Sequence, residues 1–147
     1  MKSVKKYLLV LILPFFAING IAQKGDIKQN LVGKWKMDTE LMKPVIEKMM
    51  NENPQTANLE ALNKNIAVST ALSQISENSI EYKIDGTMVN SSSKGVAIGT
   101  WKWDIATEEL TTKSENKPEK KFKIISLTKT KLHLKTQDNK DLYLTLL

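Results

Sequence analysis

Hydrophobic and polar residues alternate along most of this chain, and the places where the alternation breaks divide it into parts. In "LVGKWKMD" (31–38), Leu31, Gly33, Trp35 and Met37 fall on one side and Lys34, Lys36 and Asp38 on the other. That period of two marks a half-buried strand, with Val32 alone out of phase. It returns at residue 79. "SIEYKI" sets Ile80, Tyr82 and Ile84 against Glu81 and Lys83, "DG" at 85–86 signals a tight hairpin turn, and "TMVNSS" leads back. "VAIGTWKWD" puts Ala97, Gly99, Trp101 and Trp103 on one face. "ELTTKS" is a short strand and "ENKPEK" a loop. In "KFKIISL" the apolar face changes between Ile124 and Ser126, which asks for a bulge. "KLHLKT" alternates cleanly, "QDNK" turns, and "DLYLTLL" closes the chain.

Residues 39–78 follow a different period. Leu41, Met42, Val45, Ile46, Met49 and Met50 form pairs four apart, one stripe on a helix, with Pro44 tolerable only near its start. "NENPQTAN" is a turn-rich break. Beyond it Leu59, Leu62 and Ile66 share one helical face, while Val68, Ala71, Leu72 and Ile75 share the opposite one. This predicts two short helices, or one that meets core on both sides, with Asn58 as the cap.

The pattern gives eight strands: one, a helical insertion, then seven joined by short turns. Hairpin-linked antiparallel strands pair as a meander. Eight is the number at which a closed barrel just accommodates its own side chains or one small ligand. The predicted fold is therefore mainly β, an eight-stranded antiparallel up-and-down barrel with helices between the first and second strands. An open sheet packed on those helices is the alternative.

The amino terminus belongs to another category. "MKSVKK" is basic, "YLLVLILPFFAI" is a short apolar run, and Gly20 and Ala22 fit the small positions before a cut. That is the layout of a secretory signal peptide, with cleavage expected after Ala22 and an exported domain over 23–147. The run is shorter than the ~20 apolar residues of a membrane span, so no span is expected after removal. The absence of cysteine means that stability must come from a packed core.

Charge changes the picture less than the net +6 suggests, because Lys2, Lys5 and Lys6 lie in the signal. The rest carries 19 basic and 16 acidic residues, every basic one a lysine. Without arginine there is no bidentate fork for phosphates or bases, and nucleic-acid binding is not expected.

Catalytic chemistry is sparse. The sole histidine, His133, alternates with Leu132 and Leu134 on the lysine-bearing side of its strand, so it reads as a wet-face residue. With one histidine and no cysteine, a zinc site is poorly supplied. The adjacent Glu108 and Glu109 would point to opposite faces of a strand. No phosphate-binding glycine loop or Gly-x-Ser-x-Gly elbow occurs. No enzyme, metal or cofactor is expected.

"GKW" on the first strand, together with "DGT", "GTWKWD" and the closing "LHLKTQD", resembles the lipocalin family, and in particular small secreted bacterial lipocalin-like domains. The resemblance implies that Gly33 lets the first strand approach its neighbours closely and that Trp35 plugs the closed end. Lipocalins usually place an arginine over that tryptophan; this chain has none. The helical insertion is similar to the lid of intracellular fatty-acid-binding proteins.

The expected function is noncatalytic binding of a small apolar or amphipathic ligand inside the barrel of a monomeric exported protein. The expected walls and lid are Trp35, Met37, Met49, Tyr82, Ile84, Met88, Trp101 and Trp103. Five of the methionines (Met37, Met42, Met49, Met50 and Met88) read as plain core or as an adaptable apolar surface. The rival reading is a filled barrel that recognises a protein or glycan through its outer surface. Interior volume separates the two.

Overall fold

Strands joined by short turns cannot reach distant partners, so each pairs with the next, and here the last pairs with the first. The computed structural model describes residues 27–147; the expected signal at 1–22 lies outside them. The strands are β1 (Gly33–Met37), β2 (Ser79–Tyr82), β3 (Thr87–Ser92), β4 (Gly95–Asp104), β5 (Glu109–Ser114), β6 (Lys120–Leu127), β7 (Lys131–Thr136) and β8 (Asp141–Leu146). All neighbours are antiparallel and in sequence order, and β1 pairs with β8 to close the barrel. Trp35 stands opposite Ile80 on one side and Leu146 on the other. The register between β6 and β7 shifts at Ile124/Ser126, where the apolar pattern changes face.

Two glycines make the closure possible. Gly33 has φ +147°, a backbone conformation that side-chain-bearing residues rarely adopt, and a Cβ there would also push against the Leu146 side chain at 2.6 Å. A Cβ on Gly99 would run into the Lys113 carbonyl, which fixes the tight approach of β4 and β5. Both are the Gly of a Gly-x-Trp step.

One end of the barrel is sealed by a short helix that the alternation pattern does not reveal, α1 (Ile27–Leu31). Leu31 is buried at the end of this helix rather than on β1, and Val32 links the two, which accounts for its phase. Trp35 is fully buried and its Nε1 donates to the Leu31 carbonyl at 2.8 Å. A backbone carbonyl thus meets the indole polar edge, and no basic side chain is needed over it. Leu110 and Leu132 complete the seal.

The insertion forms two helices, α2 (Thr39–Glu52) and α3 (Ala61–Ser76). Asp38 caps α2 by accepting from the Leu41 amide at 3.2 Å. Pro44 sits in the second turn of α2; it cannot donate to the carbonyl four residues earlier, a local loss that the flanking packing tolerates. Asn58 is not the cap of α3: the helix begins later, at Ala61, behind Glu60, which makes no side-chain capping bond. Met42, Ile46 and Val68 form a small core between the helices, and Met37, Leu142 and Tyr143 extend it onto β1 and β8. The opposite face of α3 meets nothing, with Leu62 71 % and Ile66 57 % exposed.

Asp38 also ties this pair to the barrel, because its carboxylate accepts from Lys131 Nζ and from Thr145 Oγ1. Chiefly the Lys131 bond holds the Asp38 carboxyl below its ordinary range. A lowered native pKa contributes stability that is present above the unfolded value, about 3.9. That stability is lost as pH falls through the native value. Acid is therefore expected to loosen α2 first, below about pH 4. Asp38→Ala should cost roughly 0.5–2 kcal/mol at neutral pH, as cap losses do. Helical circular dichroism followed against pH in both proteins checks this; coincident acid transitions would contradict it.

Candidate functional site

The inward side chains do not fill the barrel. A cavity of about 630 Å³ opens at the end away from α1. This lies within the range of small-molecule sites, ~300–1,000 Å³. Strand alternation dictates its lining. Ile80 and Tyr82 of β2, Met88 of β3, Phe122 of β6, Leu134 of β7 and Leu142 and Leu144 of β8 give an apolar wall. Met37 joins them from β1. On the β3–β5 side, Asn90, Thr112 and Ser114 add polar atoms, with Asn90 Nδ2 donating to Ser114 Oγ at 3.2 Å. The mouth is edged by the β5–β6 loop, with Lys117, Pro118 and Glu119, and by Gln137 and Asp138 of the β7–β8 turn.

Tyr82 is the most deeply placed polar residue of the lining at 1 % exposure, and burial raises its hydroxyl pKa, so it stays neutral. Its ring lies tilted against Trp101, centroids 5.4 Å apart. Asp138 is held down to about 2, chiefly by Lys140 and also by Thr136.

The sequence-derived wall residues separate into two groups. Met37, Tyr82 and Met88 line the cavity. Trp35 and Trp101 lie outside its lining and are core at the closed end, where Trp101 Nε1 donates to the Lys83 carbonyl at 2.8 Å. Trp103 packs beside them half-buried, its Nε1 enclosed without a hydrogen-bond partner. Inward alternation selects these tryptophans correctly as interior residues but does not distinguish the packed end from the open one.

Ile84 and Met49 are corrected outright. Strand β2 ends at Tyr82, and Ile84 falls inside a turn closed by Gly86 N–H to the Lys83 carbonyl, leaving it 60 % exposed. Met49 is 42 % exposed on α2. No residue of α2 or α3 lines the cavity; the pair stands against the β1–β8 wall, beside the mouth. The expected lid position is therefore also corrected. The helices share Met37 and Leu142 with the cavity wall and touch it only from behind.

What sequence reading missed is the polar side of the cavity. Asn90, Thr112, Ser114 and Thr136 occupy inward positions, a signal legible only once the register is known. His133 keeps to the outer face that alternation assigns it, though partly covered there by its neighbours. Its Nε2 lies 2.8 Å from Asp141 Oδ1 and its ring stacks on Tyr143 at 4.3 Å, on the outer side of β7–β8. Glu109 pairs with Lys121 at 3.4 Å, across the β5–β6 ladder. Among the described residues no group of three or more His, Cys, Asp or Glu side chains converges as metal ligands, and no helix is long and apolar enough to cross a membrane.

No family model matches the sequence, and no curated protein does. Among solved structures the chain is similar to a DUF4847 family protein from Bacteroides vulgatus, with a TM-score of 0.55 and 16 % identity. The match covers 79 % of this chain and 92 % of that one. At that identity the likeness concerns the fold.

Proposed function

We propose that this protein is an exported, noncatalytic binder of a small apolar or amphipathic molecule, held inside the barrel. The observation that carries the reading is the 630 Å³ cavity, whose depth is lined by Tyr82, Met88, Leu134 and Leu144 while its mouth is polar. A barrel built only to present its outer surface would gain stability by filling such a space with larger inward side chains, whose burial is favourable. Burying an apolar ligand there contributes ~25 cal/mol per Å² of surface removed from water. The lipocalin-like character suggested by Gly33-x-Trp35 and the amino-terminal signal is part of the same proposal.

Among the described residues the carboxylates that line the cavity are Glu119 and Asp138 at the rim, and the latter is engaged by Lys140 at 2.7 Å. Binding without turnover is the chemistry such a lining supports. Titration of the 23–147 chain with an environment-sensitive apolar fluorophore tests it. Saturable one-to-one binding, reversed by an unlabelled aliphatic competitor, is expected. Linear, non-saturating uptake at all protein concentrations would dismiss the interior site.

A further inference from the structure

The cavity is graded in polarity along its depth, and the charges at its mouth are unequal in how they are matched. Depth is apolar: Ile80, Tyr82, Met88 and Leu144. Asn90 stands farther along β3 and Ser114 at the end of β5, while Lys117 lies in the loop that follows and Lys120 opens β6 opposite Thr112. Of the rim charges, Asp138 is matched by Lys140 at 2.7 Å and Lys121 by Glu109 at 3.4 Å. Lys117 and Lys120 flank Pro118 and Glu119 and line the mouth, and neither joins an ion pair among the described residues. Two lysines thus stand against the one carboxylate of Glu119, at the polar end of an apolar pit.

We propose that the ligand is an anionic amphiphile that enters tail first, with its acidic head held at the mouth by Lys117 and Lys120. This rests on the interior-binding reading above and specifies it. An apolar tail gains most by reaching the Tyr82–Met88 depth, and the head then lies at the level of the β5–β6 loop. There it stays partly hydrated, so it avoids the penalty of a buried unpaired charge. Flexible, hydrated lysines suit such a site better than a rigid fork would, because they follow the head as the tail length varies. Asn90, Thr112 and Ser114 line the same side of the cavity and offer hydrogen bonds to the oxygens of the head.

Three ligands of one chain length separate the possibilities: decanoate, decanol and decylamine, each displacing the apolar fluorophore from the 23–147 chain below its micelle concentration. Decanoate is expected to bind roughly three- to tenfold more tightly than decanol, the range that one or two exposed ion pairs allow, and the advantage should shrink as salt rises. In the double variant Lys117→Glu, Lys120→Glu, decanoate should fall below decanol and decylamine should rise above it, each measured against decanol on the same variant. Equal affinities, or a preference for decylamine in the natural chain, would overturn the anionic head and leave the apolar cavity standing. Failure of all three, decanol included, would overturn the interior site itself.

Discussion

Replacing Trp35 by Ala is expected to remove ~3–5 kcal/mol of stability, the scale for truncating a large buried aromatic. Trp35 is fully buried, touches the sealing helix through its Nε1 bond to Leu31, and sits between Ile80 and Leu146 at the seam where the barrel closes. A domain of this size has only about 5–15 kcal/mol in total, so the variant should unfold at a much lower denaturant concentration. Trp35→Phe separates the contributions. It keeps most of the ring volume but leaves the Leu31 carbonyl unpaired, and should cost ~1–3 kcal/mol. Chemical denaturation followed by circular dichroism measures both. A midpoint for Trp35→Ala within error of the natural chain would mean that α1 and Trp35 do not seal the barrel.

The second large effect is on binding. Ala97 lines the mouth on β4 opposite Asn90, and it is exposed, so a larger side chain there should be accommodated without unfolding. Ala97→Trp places an indole across the opening. Excluding on the order of 100 Å² of ligand apolar surface removes ~2.5 kcal/mol, a loss of roughly fiftyfold or more in affinity. Thermal stability should move little, within the ±0.5 kcal/mol usual for surface changes. Unchanged fluorophore affinity in this variant would place the bound molecule elsewhere.

The barrel was legible because strand periodicity and turn chemistry are local. Gly33, Trp35 and the change of face at Ile124/Ser126 each mark a physical constraint that the residues themselves impose. The sealing helix was not legible: five residues, Ile27–Leu31, carry too little periodicity, and only the phase error of Val32 hinted that the strand starts later. Ile84 misled because a period of two continues into a turn just as well as along a strand, and only hydrogen bonding ends β2 at Tyr82. The helices were recognisable as helices. Their position was not, since a stripe such as Met42–Ile46 records that something apolar is met, not which wall of the barrel supplies it.

The cavity lies between these cases. Met37, Tyr82 and Met88 follow from alternation, whereas Asn90, Thr112 and Ser114 required register. Depth along the barrel decides which inward residue packs and which faces space. That depth depends on stagger between strands far apart in sequence. Trp101 and Met88 both point inward, yet the first belongs to the closed end and the second to the open one.

The helices against the β1–β8 wall bear on how the mouth behaves. Their shared core is small, and they join the barrel through Met37, Leu142, Tyr143 and the Asp38–Lys131–Thr145 cluster. Segments with few buried apolar contacts open locally before the whole domain does. Residues 39–76 should therefore exchange amide protons faster than β4–β8. Because they touch the cavity wall only from behind, an apolar ligand should protect them modestly and protect β3 and β8 more.

On the proposed function a ligand occupies the barrel interior and not its outer surface. The most direct measurement is methyl-resolved NMR of the 23–147 chain titrated with decanol. Met88, Leu134, Leu142 and Leu144 line the cavity, while Leu62, Ile66, Val96 and Ile98 are exposed outside it. Saturable shifts, with intermolecular cross-peaks from the ligand chain, are expected at the first set and none at the second. Shifts confined to Leu62, Ile66, Val96 and Ile98, with the four interior residues unmoved, would contradict it.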